Sequence, residues 1–173
     1  SITTGDYNVG LGDSALTANT EGSDNIGVGW YALYSNTTGN SNVAVGRQAL
    51  ATNTTASNNT AMGYQSLLYN TTGAENVAVG FSALEDNTTA TNGTAVGTYA
   101  LRRNTTGANN TGLGRGALLF NTTGSSNVAT GYRALYNNTT ASNNTAVGYD
   151  SLLSNTTGHS NSALGNVALT ANT

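Results

Sequence analysis

The sequence predicts an all-β fold: a parallel β-solenoid (β-roll) of ten coils, each 17 residues long. Three observations predict it. Glycine recurs at Gly12, Gly29, Gly46, Gly63, Gly80, Gly97, Gly114, Gly131, Gly148 and Gly165, always in steps of 17. Leucine keeps the same step from Leu16 to Leu169, and asparagine keeps it from Asn19 to Asn172. No insertion or deletion breaks the period, so residues 1–173 read as one repetitive domain. Low charge and 22 glycines would suit a disordered chain. A leucine in every copy argues against disorder, because disordered segments lack regular apolar positions.

Written from its opening Asn, the repeat is N-T-T-G-x-x-N-V-A-V-G-x-x-A-L-x-x, as in residues 36–52. Positions one to four suit a turn. Asn and Gly tolerate left-handed backbone, and Thr hydroxyls bond nearby backbone. Positions seven to eleven suit a short strand. Positions eight and ten are often β-branched (Val43 and Val45, Val77 and Val79) and share one face. Position nine is always Ala or Gly, so the opposite face is small and open to close approach. Gly at position eleven answers to a positive φ, to a contact too tight for a Cβ, or to both. Positions eleven to fifteen fit either a short helical turn, with eleven, fourteen and fifteen on one face, or a second short strand.

One coil cannot bury its Val and Leu. Stacked coils can, with strands in register about 4.8 Å apart, giving a rod roughly 48 Å long. Val, Leu and Asn would each stack on their own kind, and Asn ladders satisfy their amides along the stack. The absence of proline leaves the hydrogen-bond ladders uninterrupted. The chain starts and stops inside the phrase, without initiator Met, signal peptide, membrane span or distinct capping segment. The expectation is a segment of a longer fibre or a processed chain.

Composition excludes several functions. Charged residues make up 8%, against the ~25% usual in soluble domains, and the net charge is −3. Lysine is absent, so neither nucleic acid nor an anionic membrane is an expected partner. Without cysteine there is no disulfide, thiolate metal site or thiol nucleophile. The single histidine, His159, stands at a variable turn position. Carboxylates do not recur at one position through the repeats, so no ladder of calcium sites is expected. Ser and Thr lack a neighbouring base. No enzyme activity, cofactor or metal is expected.

Variation gathers at positions five, six, twelve, thirteen, sixteen and seventeen. Eleven of the twelve aromatics and all five arginines (Arg47, Arg102, Arg103, Arg115, Arg133) occupy the last four of these. Trp30, Tyr34, Tyr64, Phe81, Tyr132, Tyr136 and Tyr149 are the candidate contact residues. Three roles suit them: packing between coils, an interface with identical chains, and platforms for sugar rings. Asn36, Asn53, Asn70, Asn87, Asn104, Asn121, Asn138 and Asn155 each open Asn-Thr-Thr, a glycosylation acceptor pattern in a secreted protein. The turn requires the same residues for its own geometry.

The phrase NVAVG at 42–46 and 76–80, with NTAVG at 144–148, resembles the head repeats of trimeric autotransporter adhesins. The longer NTAVGYDSLLSNTTG at 144–158 is similar to repeats in phage tail fibres and bacterial surface fibre proteins. The adhesin heads use a shorter repeat and lack the leucine and Asn-Thr-Thr turn. The resemblance implies a left-handed parallel β-roll within a homo-oligomer, in an extracellular fibre at a cell or virion surface that displays or binds. Assembly as a trimer or an end-to-end filament is the leading expectation. A ligand-binding module for a surface glycan, or less so for ice, is the alternative. Adjacent threonines such as Thr37 and Thr38 would point apart on extended backbone, which weakens a flat ice-binding face.

Overall fold

The computed structural model describes residues 4–172. Ten three-residue strands follow one another: β1 (Val9–Leu11), β2 (Ile26–Val28), β3 (Val43–Val45), β4 (Thr60–Met62), β5 (Val77–Val79), β6 (Thr94–Val96), β7 (Thr111–Leu113), β8 (Val128–Thr130), β9 (Thr145–Val147) and β10 (Ser162–Leu164). They form one parallel sheet in chain order. Every residue sits opposite its counterpart one repeat on, as Val43 does Thr60 and Ala44 does Ala61. This is the predicted β-solenoid. Among the described residues no helix is long and apolar enough to cross a membrane.

Alternation along the strand splits its two faces as expected, but the inward face is the small one. Ala44, Ala61, Ala78, Ala95, Ala129 and Ala146 at position nine are fully buried. The β-branched residues at positions eight and ten face outward, and Ile26, Val77, Val96 and Val128 are exposed. Only the leucine half of the expected Val–Leu core is buried. The reason is steric. Leu33 through Leu152 at position fifteen are completely buried and fill the middle of the coil. Each packs beneath the strand of the next coil: a Cβ on Gly27 would stand 3.3 Å from Leu16 Cγ. So narrow a coil has no room for Val opposite Leu, and Ala takes the inward place. Leu169, in the last described coil, is 51% exposed, while Leu152 one coil earlier is sealed. Each leucine is therefore covered by the coil that follows it.

Positions eleven to fifteen form neither the helical turn nor the second strand. Two successive tight turns replace both. In one coil the Ala49 amide donates to the Gly46 carbonyl (3.3 Å), and the Asn53 amide to the Leu50 carbonyl (3.2 Å). Position thirteen, the third residue of the first turn, has positive φ, as a type II turn requires; Gln48 shows +59°. Leucine at position fifteen does so in every coil, with Leu50 at +50°. A left-handed residue costs about 1 kcal/mol or more outside glycine. Inter-coil bonding holds the geometry in place. The Gln48 amide donates to the preceding coil (Trp30 carbonyl, 2.8 Å), and the Leu50 amide donates to the following one (Ser66 carbonyl, 3.0 Å).

Two asparagine ladders complete the interior. At position one, Asn36 Nδ2 donates to Asn19 Oδ1 (2.8 Å) and to the Gly39 carbonyl (3.0 Å). At position seven, Asn25 Oδ1 accepts from the Asn42 backbone amide (3.0 Å) and side chain (3.1 Å). No buried side-chain polar atom among the described residues lacks a partner. That is the condition for an interior so rich in amides to be stable.

Candidate functional site

Two outward surfaces carry the side chains that differ from ordinary turn and core residues. The first is the outer sheet face. Positions eight and ten form two parallel columns of Val, Ile, Thr, Leu and Met, exposed at Met62, Val77, Val96, Leu113 and Val128. Strand pairing holds the columns at about 4.8 Å per coil.

The second surface joins positions twelve, thirteen, sixteen and seventeen. Stacking aligns side chains of neighbouring coils, so position twelve becomes a column of rings and guanidinium groups. Arg47 Cζ lies 4.7 Å from the Trp30 ring and 5.6 Å from that of Tyr64. Tyr64 stacks on Phe81 at 5.0 Å, and Tyr132 on Tyr149 at 5.2 Å. Tyr34 stacks on Tyr31 at 4.4 Å, and Tyr136 meets Phe120 edge-on at 5.2 Å. All seven candidate contact residues therefore lie on ring or cation neighbours. Neighbours within the stack contact each of these rings, three of the pairs stacked and two edge-on. Trp30, Phe81 and Tyr149 stay exposed.

Three ion pairs on this surface link adjacent coils. Arg102 Nε donates to Glu85 Oε2 (2.7 Å), and Arg133 bonds both carboxylate oxygens of Asp150. Arg103 lies 3.8 Å from Asp86. Burial raises the Asp86 carboxyl above its ordinary range, with repulsion from Glu85 added and attraction to Arg103 and Arg102 only partly offsetting it. The hydrogen bond to Glu85 raises the Arg102 guanidinium, and that to Asp150 raises Arg133. These pairs did not stand out in the sequence, although each carboxylate stands one period of 17 from its arginine. The acids look scattered along the chain and become ordered only when the repeats are laid side by side.

A cavity of about 360 Å³ opens on the same surface, lined by Tyr99, Arg115, Gly116, Phe120, Arg133 and Tyr136, with Arg102, Arg103, Leu119 and Tyr132 around them. One lining residue departs from the repeat. Gly116 occupies position thirteen, where every other coil carries a side chain. Neither Gly116 nor the arginines around it stood out as a site in the sequence.

Asn36, Asn53, Asn70, Asn87, Asn104, Asn121, Asn138 and Asn155, the acceptor-pattern asparagines, are buried to within 1%. Their amide nitrogens are engaged in the position-one ladder, as for Asn53 with Asn36 Oδ1 (2.8 Å). In the folded rod a glycan on any of them would have to displace the ladder. Of the adjacent threonines, Thr37 is half-buried and donates its hydroxyl to the Thr54 carbonyl (3.0 Å), whereas Thr38 is exposed. They leave one outward column at position three. The His159 Nδ1 accepts from the Ser142 amide (2.9 Å). No cluster of three or more metal-ligating side chains occurs among the described residues.

No protein-family model matches the chain, and no curated protein and no solved structure matches it.

Proposed function

We propose that the chain is a segment of an extracellular structural or adhesive fibre, at a cell or virion surface, that assembles with copies of itself. The observation that carries this reading is the outer sheet face. It runs the length of the stack in unbroken register and presents mostly aliphatic side chains, with hydroxyls at Thr60, Thr94, Thr111, Thr145 and Ser162 in one column and at Thr130 in the other. Ladders of backbone and asparagine bonds supply stiffness without disulfides. The repeat's resemblance to adhesin heads and tail-fibre repeats supports the same reading, and a homotrimer or an end-to-end filament is the form it suggests. Sedimentation velocity across a concentration series tests it, with Val79→Lys/Val96→Lys as the comparison. The native chain sediments as an oligomer and the doubly charged face as a monomer. A native chain that stays monomeric at every concentration would remove the proposal.

A second reading, a ligand-binding module for a surface glycan, is favoured by the cavity at Gly116.

A further inference from the structure

We propose that the Gly116 cavity binds a six-membered ring bearing one carboxylate, and specifically an acidic sugar unit of the uronic type. The inference rests on the glycan-binding reading and is independent of fibre assembly.

The shape of the cavity follows from the repeat. Position thirteen is a column of side chains, with Tyr99 in the coil before Gly116 and Arg133 in the coil after it. Removing one side chain from a column spaced at about 4.8 Å leaves roughly 9.6 Å between the side-chain positions on either side of it. Once the side chains flanking that gap are counted, it has the thickness of a single ring. Phe120 and Tyr136, locked edge-to-face at 5.2 Å, form the adjoining wall. A Cβ on Gly116 would stand 3.2 Å from Tyr136 Cε2 and 3.7 Å from Arg133 Cγ, so these two side chains lean toward the glycine and bound the slot on that side. The volume, about 360 Å³, falls at the small end of ligand pockets.

Charge selects the ligand. Four arginines surround the slot, in a chain of net charge −3. Arg102, Arg103 and Arg133 each face a carboxylate, of Glu85, Asp86 and Asp150. Arg115 faces none among the described residues. Its guanidinium Nη1 donates to the Tyr132 hydroxyl (3.2 Å), and Cζ lies 5.7 Å from the Tyr132 ring. The slot therefore keeps one cation in excess, held by an aromatic ring at its mouth. A guanidinium so placed suits a carboxylate, which it grips through two parallel bonds. Aromatic side chains beside it suit the apolar face of a sugar, and the half-exposed setting suits a ring whose hydroxyls stay in water.

The test is a titration of the intact chain by amide NMR with glucuronate, glucose and benzoate. Glucuronate is expected to give saturable shifts centred on Arg115, Gly116 and Phe120. Glucose should bind at least about tenfold more weakly, the loss of one charge-assisted bond. Arg115→Gln should weaken glucuronate by the same factor. Gly116→Gln should abolish binding by filling the slot, while the fold persists, because Gln48 and Gln65 occupy this position with φ of 59° and 54°. Arg47→Gln, in the same column but outside the slot, should change nothing. Glucuronate shifts that survive Gly116→Gln, or no shifts at all, would overturn the proposal. Benzoate binding with glucuronate silent would overturn the sugar assignment. Neutral-sugar shifts elsewhere on the rod would overturn this site and leave the broader glycan-binding reading standing.

Discussion

Gly80 meets two demands at once. Its φ is +136°, and an added Cβ would lie 2.7 Å from the Gly97 carbonyl carbon, inside the next coil's backbone. Neither demand can relax, because both belong to the ladder. Gly80→Ala is therefore expected to cost about 3 kcal/mol, summing left-handed strain and overpacking, read as a fall in the denaturant midpoint. Gly93 is the opposite case. It stands at position seven, where the other coils carry asparagine. Its amide still donates to Asn76 Oδ1 (2.8 Å), but it gives the Asn110 backbone none of the Oδ1 acceptance that Asn127 receives from Asn110 (2.9 Å). An added Cβ would meet only the end of the Asn76 amide, at 2.9 Å, and Leu84 Cδ1 at 3.4 Å. Gly93→Asn should restore the ladder and raise stability by about 1 kcal/mol, seen as a higher thermal midpoint. Both reasons for the position-eleven glycine were legible in the sequence, since a strict period exposes an invariant residue. The left-handed φ of Leu50 was not, because leucine carries no preference for it and only inter-coil bonding imposes it.

The strand was legible as an element, and its orientation was not. Alternation identifies two faces without saying which one is inside, and hydrophobicity favoured the Val face. Packing decided otherwise, because Leu84 from the turn fills the space that Val would need. The two faces should respond differently. Leu84→Ala is expected to cost about 3 kcal/mol, as a buried cavity does. Val79→Thr, on the half-buried outer face, should change the stability read from urea unfolding by less than about 0.5 kcal/mol. Equal effects would mean the strand faces the other way. The turn column makes a prediction in pH. The Asp86 carboxyl is raised in the fold, so the native state binds its proton more tightly than the unfolded chain does. Ionised Asp86 therefore opposes folding above its folded pKa. That penalty fades as pH falls and is gone below the ordinary carboxylate value. Asp86→Asn should raise the melting midpoint near pH 7 and match the native chain near pH 3. A lower midpoint at neutral pH would show that the Arg103 pair outweighs burial.

At the scale of the molecule, the rod's outer face limits how strongly two copies associate. Ten coils at about 4.8 Å, two side chains wide, offer roughly 400–500 Å² per rod, short of the ~800 Å² per partner typical of stable complexes. Each added coil extends the contact without adding a second loss of rotational freedom, so association should strengthen steeply with coil number. The period made the rod legible from sequence. The outer valine face was hidden, because it depends on which way the strand turns its side chains. The most direct measurement is cryo-electron microscopy of the purified chain at high concentration. Side-by-side assemblies of rods roughly 48 Å long, with the sheet faces in contact, are the predicted result. Separate single rods, with the valine face bare at every concentration, would contradict the account.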